Sequence, residues 1–197
     1  MCCFKRHLLC REGHGNSGGF TLIELMVTLA VSVILLTVAV PAYSDLLKNS
    51  RLSTQANDFV TSLQLARSEA IKRNNYVTVC KSNDGASCAA NGTWDQGWII
   101  FVDADSDAAV DAGEDILRVQ AVLGGDTFFS AQANLDDYIS YQSLGFAQLT
   151  DGTIQVGRLI LCDDRGFINN VRAIDLSGTG RPRIADPAEY GLVSCVL

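Results

Sequence analysis

The sequence predicts an α+β protein in which a long N-terminal helix, half transmembrane and half amphipathic, packs on antiparallel β-sheet. Three observations predict it. Residues 20–40 form a run with a single charge, an apolar stripe at helical spacing follows, and past Asn75 the chain breaks into short β-branched and aromatic runs between Gly, Asn and Asp clusters. At 197 residues and 48% hydrophobic composition there is room for one domain with a real core plus an appended segment.

The first nineteen residues carry Lys5, Arg6 and Arg11 against Glu12, a local +2, so the rest of the chain stands at −9 within a formal net charge of −7. A surface that acidic repels polyanions on average, and contact with nucleic acid needs a local basic patch.

Between Phe20 and Val40 the only charge is Glu24. Rising about 1.5 Å per residue, this run crosses a hydrocarbon layer about 30 Å thick. The basic residues ahead of it put the N-terminus in the cytoplasm and the C-terminal body outside. The alternative is a secretory signal, with Val40-Pro41-Ala42 as its small-residue cleavage site. Glu24 argues against that, because a carboxylate at a helix centre costs about 2.5–3.5 kcal/mol on insertion scales and a discarded signal gains nothing by it. A charge retained there calls for a partner. Pro41, just past the run, has two readings: a kink, since it removes a backbone donor, or the exit of the membrane helix.

Residues 41–74 keep the helical pattern. Leu52, Ala56, Phe59, Leu63, Ala66 and Ala70 make one apolar stripe, Lys48, Arg51, Asp58, Arg67, Glu69, Lys72 and Arg73 cover the other faces, and Asn74-Asn75 is a stop. The stripe predicts packing against a β layer. Residues 75–197 then read as a β-rich domain outside the membrane, with strands at 76–81, 98–102, 116–122, 127–130, 138–141, 153–161, 171–176 and 192–196.

Cys2, Cys3 and Cys10 precede the apolar run, and Cys80, Cys88, Cys162 and Cys195 follow it. An even number on the outer side suits disulfides in an oxidising compartment. Three connectivities are open; the nearest pairing joins Cys80 to Cys88, around the turn-rich Ser82-Asn83-Asp84-Gly85, and Cys162 to Cys195.

Gly19 followed by Phe20-Thr21-Leu22-Ile23-Glu24-Leu25-Met26-Val27 resembles the cleavage and methylation motif of type IV pilins and type II secretion pseudopilins. The resemblance implies that a prepilin peptidase cuts after Gly19, leaving residues 1–19 as a leader, and that Phe20 becomes the methylated amino terminus. Glu24, fifth in the cut chain, would then pair with the Phe20 ammonium of a neighbouring subunit, two costly buried charges neutralising each other. A proline at the place of Pro41 accompanies a bent or locally melted helix in such filaments. Gly97-Trp98-Ile99-Ile100-Phe101-Val102-Asp103, the acidic loop after it, Ile116-Leu117-Arg118-Val119 and a C-terminal cysteine together resemble the GspH/FimT family of minor pilins and pseudopilins. The partners implied are the peptidase, the inner membrane, and other minor and major pilins or pseudopilins.

Catalysis finds little support. His7 and His14 fall in the implied leader, so the cut chain holds no histidine, the usual general base, and no Gly-x-Ser-x-Gly elbow occurs. The glycine-rich residues 13–19 follow no strand and lack a Walker lysine, and Cys2, Cys3, His7 and Cys10 would leave with the leader as a metal set. No cofactor is expected. The metal candidate is calcium on the loop 103–114, where Asp103, Asp105, Asp107, Asp111 and Glu114 occupy positions one, three, five, nine and twelve, with Ala108 where the turn wants glycine. Its other reading is a solvated acidic hairpin tip. Finally, Gly180-Arg181-Pro182-Arg183, with Arg165 and Arg172 before it, resembles the DNA-contacting segment of FimT-type competence pilins, since arginine forks grip phosphates bidentately.

Overall fold

The computed structural model describes residues 19–166, 171–185 and 195. The chain divides into two units, one up to Tyr43 and one from Ser44 onward.

Helix α1, Leu22–Arg73, runs through both, with Pro41 inside it. In the first unit its side chains are bare: Leu22 is 77% exposed and Val38 69%. In the second unit Leu52, Ala56, Phe59, Leu63, Ala66 and Ala70 are all buried, the stripe expected from their spacing. Asn74 ends the helix in the left-handed region at φ 53°, a conformation asparagine tolerates.

The second unit adds β1 (Tyr76–Lys81), β2 (Trp98–Asp103), β3 (Ile116–Gln120), β4 (Phe128–Ala131), β5 (Tyr138–Tyr141), β6 (Gly157–Cys162), β7 (Val171–Leu176) and β8 (Pro182–Ala185). They form two four-stranded sheets, β3-β2-β1-β5 and β4-β6-β7-β8, antiparallel throughout. Both sheets and the stripe of α1 share one core. Phe59 sits at its centre, edge-on to Trp94 and Trp98 at ring centroid distances of 5.1 and 5.0 Å and tilted on Phe129 at 4.9 Å. The indole nitrogens donate to Leu135 O and Ser62 Oγ, each at 3.0 Å, so neither is buried without a partner.

Strand periodicity sorts the remaining apolar residues. Val77 and Val79, Trp98 and Ile100, and Leu159 and Leu161 face the helix, which turns Cys80, Ile99 and Phe101, and Ile160 and Cys162, to the opposite faces. Cys80 and Cys162 thus lie on the outer faces of different sheets. Each bridges to its nearest cysteine, Cys80 to Cys88 (Cα–Cα 5.5 Å) and Cys162 to Cys195 (6.3 Å), and each bridge caps a small satellite cluster.

Apart from shifts of one residue at strand ends, the departures from the sequence expectation are local. The strand read over 116–122 stops at Gln120, and the one read over 153–161 begins at Gly157, with Ile154 held in an isolated bridge to Gln148. The stretch Gly178 to Arg183, whose glycines and proline predict a rigid turn, does turn at residues 178–180, but Pro182–Ala185 are edge strand β8; Pro182 opens it, where no ladder donor is needed. The strand read over 192–196 lies, apart from Cys195, outside the described residues, as do His7, His14, Cys2, Cys3 and Cys10.

Candidate assembly segment and charged surfaces

The N-terminal end of α1 is built by a capping sequence. Thr21 stands at the cap and Glu24 three residues on, the spacing of a capping box; the Glu24 amide donates to Thr21 Oγ1 at 3.2 Å and the Leu25 amide to Thr21 O at 3.1 Å. The acid also lies where the helix dipole favours negative charge. Among the described residues, a side chain added at Gly19 would meet nothing within 4 Å. The hydroxyls of the apolar run are spent within the helix: Thr28, Ser32 and Thr37 donate to the carbonyls of Leu25 (3.0 Å), Thr28 (2.7 Å) and Ile34 (2.7 Å). Among the described residues α1 is the one helix long and apolar enough to cross a membrane.

The loop between β2 and β3 closes on itself through its own carboxylates. Buried Asp103 accepts from Thr78 Oγ1 at 2.6 Å and from the amides of Asp107 (3.1 Å) and Ala108 (3.2 Å). Glu114 accepts from the amides of Ala104 (2.7 Å) and Asp111 (3.0 Å), and Asp107 from that of Ala109 (2.7 Å). Burial pushes the Asp103 carboxyl up, with the Glu114 charge adding to it against the hydrogen bonds; repulsion from Asp107 and Asp105 pushes Asp111 up. Ligand oxygens of Asp103, Asp105 and Glu114, and of Asp105, Asp107 and Asp111, lie within 4.8 Å of one another. Oxygens so grouped are what a hard cation takes, but Asp103 and Glu114 are already engaged with the backbone.

The four candidate arginines are not brought together as one patch. Arg165 reaches Asp163, Asp45 and Asn49, and Arg172 donates to Ser53 Oγ at 3.2 Å and to its own neighbour Val171 O at 2.9 Å. Arg183 pairs with Asp175 at 3.1 Å. Arg181 and Arg183 line a cleft with Gln64, Arg67, Ser177 and Pro182. Arg67, which helical spacing places among the surface charges of α1, is fixed there by its Nε bond to Gly145 O at 2.8 Å. Only the fold reveals that placement, because Gly145 is 78 residues away along the chain.

Lys81 is also charged and almost wholly buried, held by Asp137 Oδ1 and Gly92 O at 2.9 Å each, with Asp136 at 3.9 Å. As the last residue of β1, at a strand end where a lysine is ordinarily solvated, it carries no local signal of burial. Buried Tyr141 has no hydrogen-bond partner for its hydroxyl among the described residues, and burial pushes its pKa well above the usual phenol range.

Two family models match the chain: type II transport protein GspH over residues 55–180, and the prokaryotic N-terminal methylation motif over residues 15–40. Among curated proteins, the pilin-like protein PilA1 of Thermus thermophilus is 33% identical over 97 residues, covering 49% of this chain and 55% of the relative. The chain thus spans about half the length of that relative. Among solved structures, the type IV minor pilin FimU of Pseudomonas aeruginosa superposes with a TM-score of 0.56 at 19% identity, over 74% of this chain and 96% of that one. That likeness is one of fold.

Proposed function

This chain belongs to the type II transport protein GspH family, and from that premise we propose that it is a minor pilin or pseudopilin, non-enzymatic, built into a filament after prepilin processing. The observation that carries the reading is the coupling of two matched segments through one helix: a methylation motif whose capped start holds a single acid, and a β-rich domain gripping the other end of the same helix. Cleavage after Gly19 makes Phe20 the amino terminus and leaves Glu24 one turn away. The pairing of that carboxylate with a neighbouring subunit's terminus then supplies the partner that a charge in an apolar helix requires. Among the described residues nothing packs against the position of a side chain at 19, which is consistent with a requirement imposed by the peptidase. The protein sits in the inner membrane with the N-terminus cytoplasmic and residues 75–197 periplasmic, its partners being the peptidase and sister pilins or pseudopilins.

Two substitutions test this. Gly19→Val leaves an unprocessed, membrane-retained precursor, and a normal mature mass would refute the assignment. Glu24→Ala is still cut but enters filaments poorly; efficient incorporation removes the charge-pairing argument.

Use in DNA uptake has less support. Arg165, Arg172 and Arg183 are engaged inside the chain, and Arg181 remains as an exposed guanidinium on a chain of net −9 beyond residue 19. Should Arg181→Gln with Arg183→Gln leave DNA retention and its salt dependence unchanged, that use is excluded.

A further inference from the structure

Helix α1 first meets the apolar core at Leu52; Leu46 and Leu47, just before it, are 64% and 48% exposed. The stretch 45–53 is fastened by polar side chains. Lys48 Nζ donates to both carboxylate oxygens of Asp164, at 2.7 and 2.8 Å. In the opposite sense, Arg165 of the β6–β7 turn donates to the carbonyl and carboxylate of Asp45, each at 3.3 Å, and to Asn49 Oδ1 at 2.9 Å. Arg172 of β7 adds Ser53. Positions 45, 48, 49 and 53 share one helix face, so these contacts form successive rungs. The turn is itself braced, because buried Asp163 accepts from the Arg165 backbone amide and guanidinium.

The helix needs such rungs here. Ser44, Asp45, Asn49 and Ser50 are weak helix formers, and Pro41 upstream lacks an amide donor. From Ala56 onward buried apolar contacts hold the helix, and these do not depend on ionic strength as charge pairs do.

We propose that Asp163, Asp164 and Arg165 form an ionic clasp: closed, it keeps residues 45–53 helical and docked; open, it releases residues 45–51 as an extensible tether. Passing from about 1.5 Å to about 3.4 Å per residue, seven residues lengthen the connection by roughly 13 Å. The device goes beyond the assembly reading and holds for either kind of filament. It also sets Leu52 as the point where unwinding stops.

Hydrogen exchange of the full chain in detergent micelles at pH 7 tests it. Asp164→Asn with Arg165→Gln raises exchange of amides 48–51 by about tenfold while amides 56–66 stay within about twofold, and raising NaCl in the parent protein has the same selective effect in weaker form. Exchanging the charges, Lys48→Asp with Asp164→Lys, restores protection. Unchanged rates at 48–51, or an equal rise in both segments, overturns the clasp. If the double variant does not fold, Asp45→Asn, at an exposed carboxylate, reads the same rung: a selective rise of about twofold supports the clasp and none overturns it.

Discussion

Both halves of α1 carry apolar residues, and these meet opposite surroundings. From Leu22 to Leu47 the large apolar residues are exposed, whereas from Leu52 to Ala70 the stripe is buried against two sheets of the same chain. The difference lies in spacing. A run apolar on every face has no side to turn to solvent and suits lipid or neighbouring helices, while residues spaced three and four apart make one stripe that a single domain can cover. Between them lies a short polar stretch that neither medium covers, and there charge pairs take over.

The largest test of this contrast sets Phe59→Ala against Leu29→Ala. Phe59 is buried among Trp94, Trp98 and Phe129, so its truncation costs about 3–5 kcal/mol in urea unfolding of the full chain in detergent, read by tryptophan fluorescence. Leu29, 58% exposed, leaves that unfolding curve unmoved; equal losses would break the distinction between the halves. Next, Ser62→Ala strips Trp98 Nε1 of its acceptor in the core and costs about 1–3 kcal/mol by the same measurement.

A smaller effect comes from the acidic loop, with the opposite sign. Ala108 holds φ at 62°, a region that costs a residue with a Cβ about 1–2 kcal/mol, so Ala108→Gly raises stability by about 1 kcal/mol after glycine's added chain entropy. The smallest is pH-dependent. The Lys48 ammonium holds the Asp164 carboxyl below its ordinary value of 3.8, so its contribution is present above that value and lost as pH falls through the lower folded pKa. Asp164→Asn therefore lowers the Tm of the full chain slightly at pH 7, and the gap from the parent narrows progressively below about pH 4. A gap constant with pH would mean that shape, not charge, matters at that rung.

Much of this architecture was legible in local pattern. The stripe from Leu52 to Ala70 followed from spacing, and β1, β5 and β7 begin and end where their β-branched runs do. Edge strand β8 was not legible, since Arg-Pro-Arg looks like a turn until β7 supplies a partner on one side. The arginines show a related limit: nearness in sequence does not say where each side chain goes, and Arg165 and Arg172 point to the helix and Arg183 to Asp175. Conversely, Arg67 joins Arg181 at one cleft from the far side of the chain. The cap at Thr21 is a local signal too, carried by the Thr-x-x-Glu spacing.

The sequence by itself determined the motif at Gly19, the apolar run with its single acid, and which helix face is buried. These depend on periodicity and composition, which act over a few residues. The tertiary structure alone decided that two sheets rather than one cover the stripe, and that Cys80 and Cys162 face outward on different sheets. It also decided that a turn more than a hundred residues downstream supplies the charges holding Asp45, Lys48 and Asn49. Such pairings join residues with no local signal of each other, and only the packed chain brings their charges within reach.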